Sequence, residues 1–249
     1  VIYIGAGDPD LDTTSALAEA FGEIGVDVLE LGVPFSDPLA DGPINQMSAQ
    51  RGLASGTTPS RVLEAVRKIR KTSQIPIVLY VYYNLMHRRG VERFILEAAD
   101  AGVDGLLVLD LPPEEGSEYL ALMKRGGLCA IHLVAPTTPD ERIARIAQTA
   151  SGFVYCVSRE GVTGIRDEVS GHVPRLVAAV RRYTDLPVAV GFGISNPEQA
   201  RLVALYADAV VVGSAVVKVI AEQTGKPDLV NRVAVFVQSL FKAVRGKEK

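Results

Sequence analysis

Gly25-Val26-Asp27-Val28-Leu29-Glu30-Leu31-Gly32 carries an apolar run of strand length, opened by one glycine and closed by another. Related steps recur as Gly102-Val103-Asp104-Gly105 and Tyr206-Ala207-Asp208-Ala209, each leading into an apolar run that ends in a Gly or Pro turn. Such repetition favours a chain assembled from strand–helix units. Outward from it, runs rich in Val, Ile and Leu lie near residues 2–6, 27–32, 76–82, 104–109, 128–134, 152–157, 187–191 and 208–213. Runs this uniformly apolar are the pattern of parallel strands covered on both faces. The segments between them carry apolar residues three or four apart, several with Pro in the first turn. They predict helices over 13–24, 59–71, 91–101, 113–125, 139–150, 173–183 and 197–205, and a last one over 229–244. Eight strands alternating with helices in 249 residues predict a single-domain (β/α)₈ TIM barrel over 1–249, with a doubly wound open sheet as the alternative.

Composition agrees with a folded chain of large core. At 48% hydrophobic and 22% charged residues, with a mean hydropathy of +0.21, the sequence is too apolar for disorder. No apolar run reaches the length of a membrane span. The net charge of -3 lacks the basic excess that draws a protein to nucleic acid or an anionic membrane, so an anionic ligand needs a local site. Cys129 and Cys156 form no ladder of spacings, which argues against a disulfide framework or zinc ribbon and fits a reducing cytoplasm. The chain opens on the apolar stretch from Val1 to Ile4 without an initiator Met, and the expectation is that native residues precede it.

In a barrel the C-terminal ends of the strands form the catalytic face. Glu30 lies inside an apolar strand, where an ionised carboxylate without a partner is costly; the alternative is pairing with a cation on a neighbouring strand. The loop that follows holds Asp37 and Asp41 among three prolines and two glycines. Turn or cap roles compete with functional ones there, evenly for Asp37, while Asp41 leans toward function because the loop carries it over the mouth that Glu30 enters. Glycine-bearing turns recur late in the chain at Gly161 to Gly164, Gly191 to Ser195 and Gly213 to Ala215. A helix starting at Ser214 would aim its positive end at an anion, and loops after strands 7 and 8 are the usual phosphate site of this architecture. Helix-start turns use Gly and Ser in any case, but the paired placement favours a phosphate ester as substrate. No lysine falls inside a predicted strand, so a Schiff-base mechanism lacks its nucleophile. His87, His132 and His172 are scattered without metal-ligand spacing. What remains is acid/base chemistry with no cofactor and no metal. Tyr3, Tyr80, Tyr82, Tyr155 and Phe192 stand near strand ends, where they suit either a flat apolar pocket or core packing.

The stretch Leu29-Glu30-Leu31-Gly32-Val33-Pro34-Phe35-Ser36-Asp37-Pro38-Leu39-Ala40-Asp41-Gly42-Pro43 resembles the signature of the tryptophan synthase alpha chain family. The resemblance extends to Gly7-Asp8-Pro9, Tyr82-Tyr83-Asn84, Asp110-Leu111-Pro112, Ser158 through Gly164, Gly191 through Ser195 and Gly213-Ser214-Ala215, in family order along nearly the whole chain. It implies a (β/α)₈ barrel that cleaves indole-3-glycerol phosphate to indole and glyceraldehyde 3-phosphate. It further implies that indole passes to a tryptophan synthase beta chain in an alpha2-beta2 hetero-tetramer. Carried over by position, Glu30 matches the essential acid/base and Asp41 its partner carboxylate. Gly164, Gly193, Gly213 and Ser214 match the phosphate cradle; Tyr3, Leu107, Tyr155, Thr163, Phe192 and Val211 match the substrate pocket; Pro34, Asp37 and Arg159 match the lid and partner-facing segments.

Some features depart from the family pattern. The family usually begins with a short helix that covers the barrel floor, whereas this sequence opens directly on the first strand, and the expectation is that the helix is absent from it. Tyr3, Tyr80 and Leu85 stand where Phe, an aliphatic residue and often Pro are expected. A free-standing lyase and a non-catalytic homologue that regulates a beta chain remain as alternatives, the second disfavoured by retention of both carboxylates.

Overall fold

The computed structural model describes residues 1–157, 165–191 and 193–246, with side chains given except at 165–171. Eight parallel strands follow one another around a barrel: β1 (Ile2–Gly5), β2 (Leu29–Gly32), β3 (Ile77–Val81), β4 (Gly105–Val108), β5 (Cys129–Val134), β6 (Val154–Val157), β7 (Val188–Gly191) and β8 (Ala209–Val210). The ring closes through a parallel bridge between Ile2 and Val212. There the Tyr3 N–H donates to the Val212 carbonyl at 3.0 Å and the Val212 N–H to the Val1 carbonyl at 3.1 Å. The last strand is shorter than the run 208–213 predicts, because its upper end meets β1 only at that bridge.

Eleven helices occur among the described residues: α1 (Leu11–Ile24), α2 (Pro43–Ala54), α3 (Pro59–Ile69), α4 (Tyr83–Arg89), α5 (Val91–Ala101), α6 (Ser117–Gly126), α7 (Asp140–Thr149), α8 (Ile165–Arg181), α9 (Pro197–Val203), α10 (Ser214–Gln223) and α11 (Leu229–Arg245). The expected helix over 113–125 divides into a 3₁₀ turn at Pro113–Glu115 and α6. The helix expected over 173–183 begins instead at Ile165, so Pro174, which reads as a first-turn proline, lies inside α8. Neither α2 nor α4 follows from apolar periodicity.

The recurrent Gly-Val-Asp step has a physical basis. Gly25 and Gly102 end α1 and α5 with φ of 88° and 91°, a left-handed conformation that glycine adopts without strain. The next residues, Val26 and Val103, donate backward to the Phe21 and Ala98 carbonyls and bury their side chains. Two of the three aspartates then fix strand starts, while Asp27 pairs with Arg245. Asp104 accepts from the Ile77 N–H at 2.7 Å and from Arg70 at 2.6 Å. Asp208 accepts from the Val188 N–H and from Arg181, both at 2.9 Å. Each carboxylate therefore ties one strand to its neighbour and to a helix end.

Alternation along the strands divides the apolar side chains in two. Leu29, Leu31, Ile77, Leu79 and Leu106 face outward into the main core, where Leu17, Phe21, Val62, Val66 and Phe94 of the helices cover them. Val78, Leu107 and Ile131 face inward and plug the barrel. Below the plug, a cavity of about 690 Å³ opens at the N-terminal ends of the strands, lined by Val28, Phe153, Val237 and Phe241 among others. Above it lies a second cavity of about 650 Å³ at the C-terminal ends.

Helix α2 is held by charge as much as by burial. Asp8, after β1, is buried to 1% exposure and accepts from Arg51 Nε and Nη2, each at 2.7 Å, and from Ser48 Oγ at 2.5 Å. A bidentate, charge-assisted pair of this kind is strong, and removing one side leaves a buried charge uncompensated. Arg51→Ala is expected to destabilise the fold by about 3 kcal/mol in urea unfolding, with Arg51→Lys recovering only part of the loss because an ammonium cannot reproduce the fork. A midpoint unchanged by Arg51→Ala would show that Asp8 is satisfied without it.

Candidate active site

Glu30 sits in register between Tyr3 of β1 and Val78 of β3, so its side chain enters the barrel while Leu29 and Leu31 face the helices. It is 2% exposed and lines the upper cavity. Among the described residues its Oε1 atom has no hydrogen-bond partner. Burial drives its pKa up to about 8, opposed by the positive charge at Val1 and assisted by the Asp41 carboxylate. No cation on a neighbouring strand pairs with it among the described contacts, which removes the alternative of a structural ion pair.

Asp41 hangs in the loop between β2 and α2. The loop leaves the sheet with the Val33 N–H still bonded to the Tyr80 carbonyl at 2.9 Å, then folds back as Leu39 donates to Asp37 O and Asp41 to Pro38 O. The Asp41 carboxylate accepts from Tyr80 Oη at 2.7 Å on Oδ1 and from Tyr82 Oη at 2.8 Å on Oδ2. Tyr82 Oη also accepts from the Ala40 N–H, and Phe35 packs on the Tyr82 ring at 5.0 Å. Burial raises the Asp41 pKa, while the hydrogen bonds from Tyr80, Tyr82 and Asn45 work against that rise. The carboxylate opens on a narrow crevice adjoining the main cavity, with Tyr3 and Tyr80 forming the wall shared by both.

The opposite wall consists of Leu133, Tyr155, Val211 and the turns at Gly193 and Gly213. Helix α10 starts there at Ser214. Its Val216 and Val217 amides turn back to the Gly213 carbonyl, leaving those of Ser214 and Ala215 without an acceptor among the described residues. No Lys or Arg lines this cavity among the described residues. An anion would therefore be met by backbone amides and the positive helix end.

Of the residues expected in the site, Glu30, Tyr3, Tyr155, Val211, Gly193, Gly213 and Ser214 line one cavity. Leu107 does not: it lies in the inward plug one layer below, fully buried with Val78 and Ile131, and Leu109 two residues on lines the cavity. Pro34 is buried beside the Asp41 crevice. Asp37 is exposed, its carboxylate accepts from Ser36 Oγ at 2.6 Å, and it does not line the cavity. Arg159, Thr163, Gly164 and Phe192 lie outside the described residues. His132 is a buried residue of β5 that does not line the cavity, whereas His172 of α8 does. Tyr80 and Tyr82 as donors to Asp41, and Asn45 beside it, were not assigned from sequence. The signal for the tyrosines was the period of two from inward-facing Val78.

The sequence profile of the family described as tryptophan synthase alpha chain matches residues 1–245. A tryptophan synthase alpha chain from Opitutus terrae is 56% identical over 228 residues, 92% of this chain and 86% of that protein. One from Geobacter sulfurreducens is 51% identical, covering 98% and 92%. Among solved structures, tryptophan synthase subunit alpha from Legionella pneumophila str. Paris superposes with a TM-score of 0.88 at 38% identity, over 98% of this chain and 92% of that one. Tryptophan synthase from M. tuberculosis in its aminoacrylate-bound form gives 0.88 at 34%, over 98% and 92%.

The unpartnered Glu30 carboxyl has a consequence for stability. It ionises near 4.5 in the unfolded chain and about 8 in the folded one. Between those values the folded state holds a proton that the unfolded state has lost, so stability falls as pH rises through the window. Glu30→Gln removes the titration. The variant is expected to match the parent at about pH 4 and to exceed it by a few kcal/mol at about pH 9. Urea unfolding at both pH values tests this, and a difference independent of pH would refute the burial argument.

Proposed function

The chain belongs to the tryptophan synthase alpha chain family, and from that premise we propose how its residues cleave indole-3-glycerol phosphate to indole and glyceraldehyde 3-phosphate. The reaction is a retro-aldol cleavage: a proton goes to indole C3, the proton of the adjacent side-chain hydroxyl leaves, and the bond between the two carbons breaks. The observation that carries the reading is the buried Glu30 carboxyl, unpartnered on Oε1 and facing the cavity. With its pKa raised to about 8 it holds a proton at neutral pH that it can deliver to carbon, and as a carboxylate it can then take the hydroxyl proton. Asp41 is the fixed anion that stabilises positive charge developing at the ring N–H. The phosphate rests on the amides near Gly193, Gly213 and Ser214, with Gly164 completing the cradle, and holds the glycerol chain in register. Tyr3, Tyr155 and Val211 flank the ring, with Thr163 and Phe192 assigned beside them on the family pattern. The whole chain works as one domain, without a cofactor or metal.

The chain pairs with a tryptophan synthase beta chain, in an alpha2-beta2 hetero-tetramer, and serves tryptophan biosynthesis in the cytoplasm. No helix among the described residues is long and apolar enough to cross a membrane. The exposed run at Ser36 and Asp37, with Leu39 at 93% exposure, presents an apolar contact on the carboxylate loop itself, where a docked partner can bias it; Arg159 is assigned to the same face on the family pattern.

Glu30→Gln is expected to lower indole release by several orders of magnitude while the fold and phosphate-analogue binding persist. Turnover near that of the parent would remove Glu30 from the mechanism. Titrating beta chain into the protein is expected to raise turnover up to roughly 100-fold, which needs about 3 kcal/mol of preference for the closed loop. Asp37→Ala should lose much of that rise. A flat curve, with binding established independently, would favour the free-standing lyase.

A further inference from the structure

Both oxygens of the Asp41 carboxylate are held, one from β3 and the other from the turn between β3 and α4. Tyr80 lies on β3 and Tyr82 just past its end, at the N-cap of α4, and the two hydroxyls reach the same carboxylate. Tyr80 stands opposite Gly32 in the β2–β3 register and packs edge-on against Tyr3 with ring centroids 5.1 Å apart. Its ring forms part of the wall between the cavity that Glu30 enters and the crevice that holds Asp41.

We propose that Tyr80 is a positioning residue for Asp41: its hydroxyl, on Oδ1, fixes the direction of the carboxylate beside the ring-binding cavity and favours its ionised form. This rests on the reading of Asp41 as the anion that meets the ring N–H. A phenol donates one hydrogen bond and stabilises the charged carboxylate over the neutral acid. Burial and the nearby Asp41, Tyr3 and Glu30 raise the Tyr80 pKa well above its ordinary value, so the hydroxyl keeps its proton and its donor role throughout the working range. The titratable groups acting on the pair are Glu30 from β2, Tyr3 from β1 and Tyr82 from the N-cap of α4. Asp8 acts on Tyr3 and Asp110 on Tyr82, both more remotely. Asn45 of α2 adds a neutral donor to Asp41, and exposed His172 lines the far mouth of the cavity.

Removing the hydroxyl leaves Asp41 with one donor fewer against the same burial, so its pKa rises. A higher pH is then needed to ionise it. The test is Tyr80→Phe assayed for indole release with the beta chain present, from about pH 5.5 to 9.5. The expected result is a kcat lower by about 10-fold, KM nearly unchanged, and an acid limb moved upward by about half a unit to one unit. In an Asp41→Asn background, Tyr80→Phe is expected to add nothing, because the group it positions is gone. Circular dichroism and unfolding midpoints separate this from loss of fold, and Tyr80→Phe removes only one atom. If the substitution leaves the acid limb in place, raises kcat, or costs as much in the Asp41→Asn background, the positioning role is wrong while the reading of Asp41 stands. If Asp41→Asn itself turns over like the parent, the reading of Asp41 fails and the Tyr80 role with it.

Discussion

A carboxyl group buried at the centre of the barrel, with no ion-pair partner among the described residues, is the constraint around which the upper half of this molecule is arranged. Water would solvate Glu30 freely; the strands do not, and its proton is correspondingly hard to remove. A site that needs a proton donor to carbon gains from that reluctance. The cost falls on the fold, which must supply enough apolar burial elsewhere to tolerate it. The outward leucines and isoleucines of β2 to β4, packed under α1, α3 and α5, provide such burial directly around the strand that carries Glu30.

The second carboxylate is managed by the opposite strategy. Asp41 comes from a loop and is tied down by hydroxyl donors from β3 and from the N-cap of α4, with the Gln46 side chain bonded to its carbonyl. Beyond the loop, α2 is pinned to the segment after β1 by the Asp8–Arg51 pair. One end of the loop is thus part of the sheet and the other is part of an ionic anchor. Two acidic groups in one site acquire different behaviour because one is deprived of donors and the other is supplied with them.

Much of the frame was legible in the sequence because it is written in local chemistry. The apolar runs gave the strands, proline in first turns gave α3 and α9, and the Gly-Val-Asp step marked where helices end and strands begin. What escaped reading has tertiary causes. Helix α2 buries only Ser48 and Gly52, so its sequence carries no apolar stripe; it is stabilised by Asp8, which lies 43 residues away from Arg51 in the chain. Helix α4 has seven residues and buries only Met86. In the site, Glu30 announced itself as a charge inside an apolar strand, and Asp41 through the loop around it. Leu107, a pocket residue on the resemblance alone, lies one layer lower in the inward plug, and position in a family pattern does not reveal such depth. The donors to Asp41 looked like ordinary strand tyrosines, since nothing local indicates which loop folds down upon them.

Two glycines on facing sides of the mouth bear on the shape of the site. A Cβ on Gly32 would come within 2.4 Å of Tyr3 Oη, and one on Gly191 within 2.6 Å of Tyr155 Oη. In each case the glycine lies across from the residue two positions beyond the tyrosine, on the adjacent strand. The two phenol rings recline into the space left by those missing side chains. The width of the slot between them is thus written into positions that display no chemistry of their own. A methyl group added at either glycine would push a ring inward and narrow the entrance from beneath, so the selectivity of the mouth can change through residues that carry no side chain of their own.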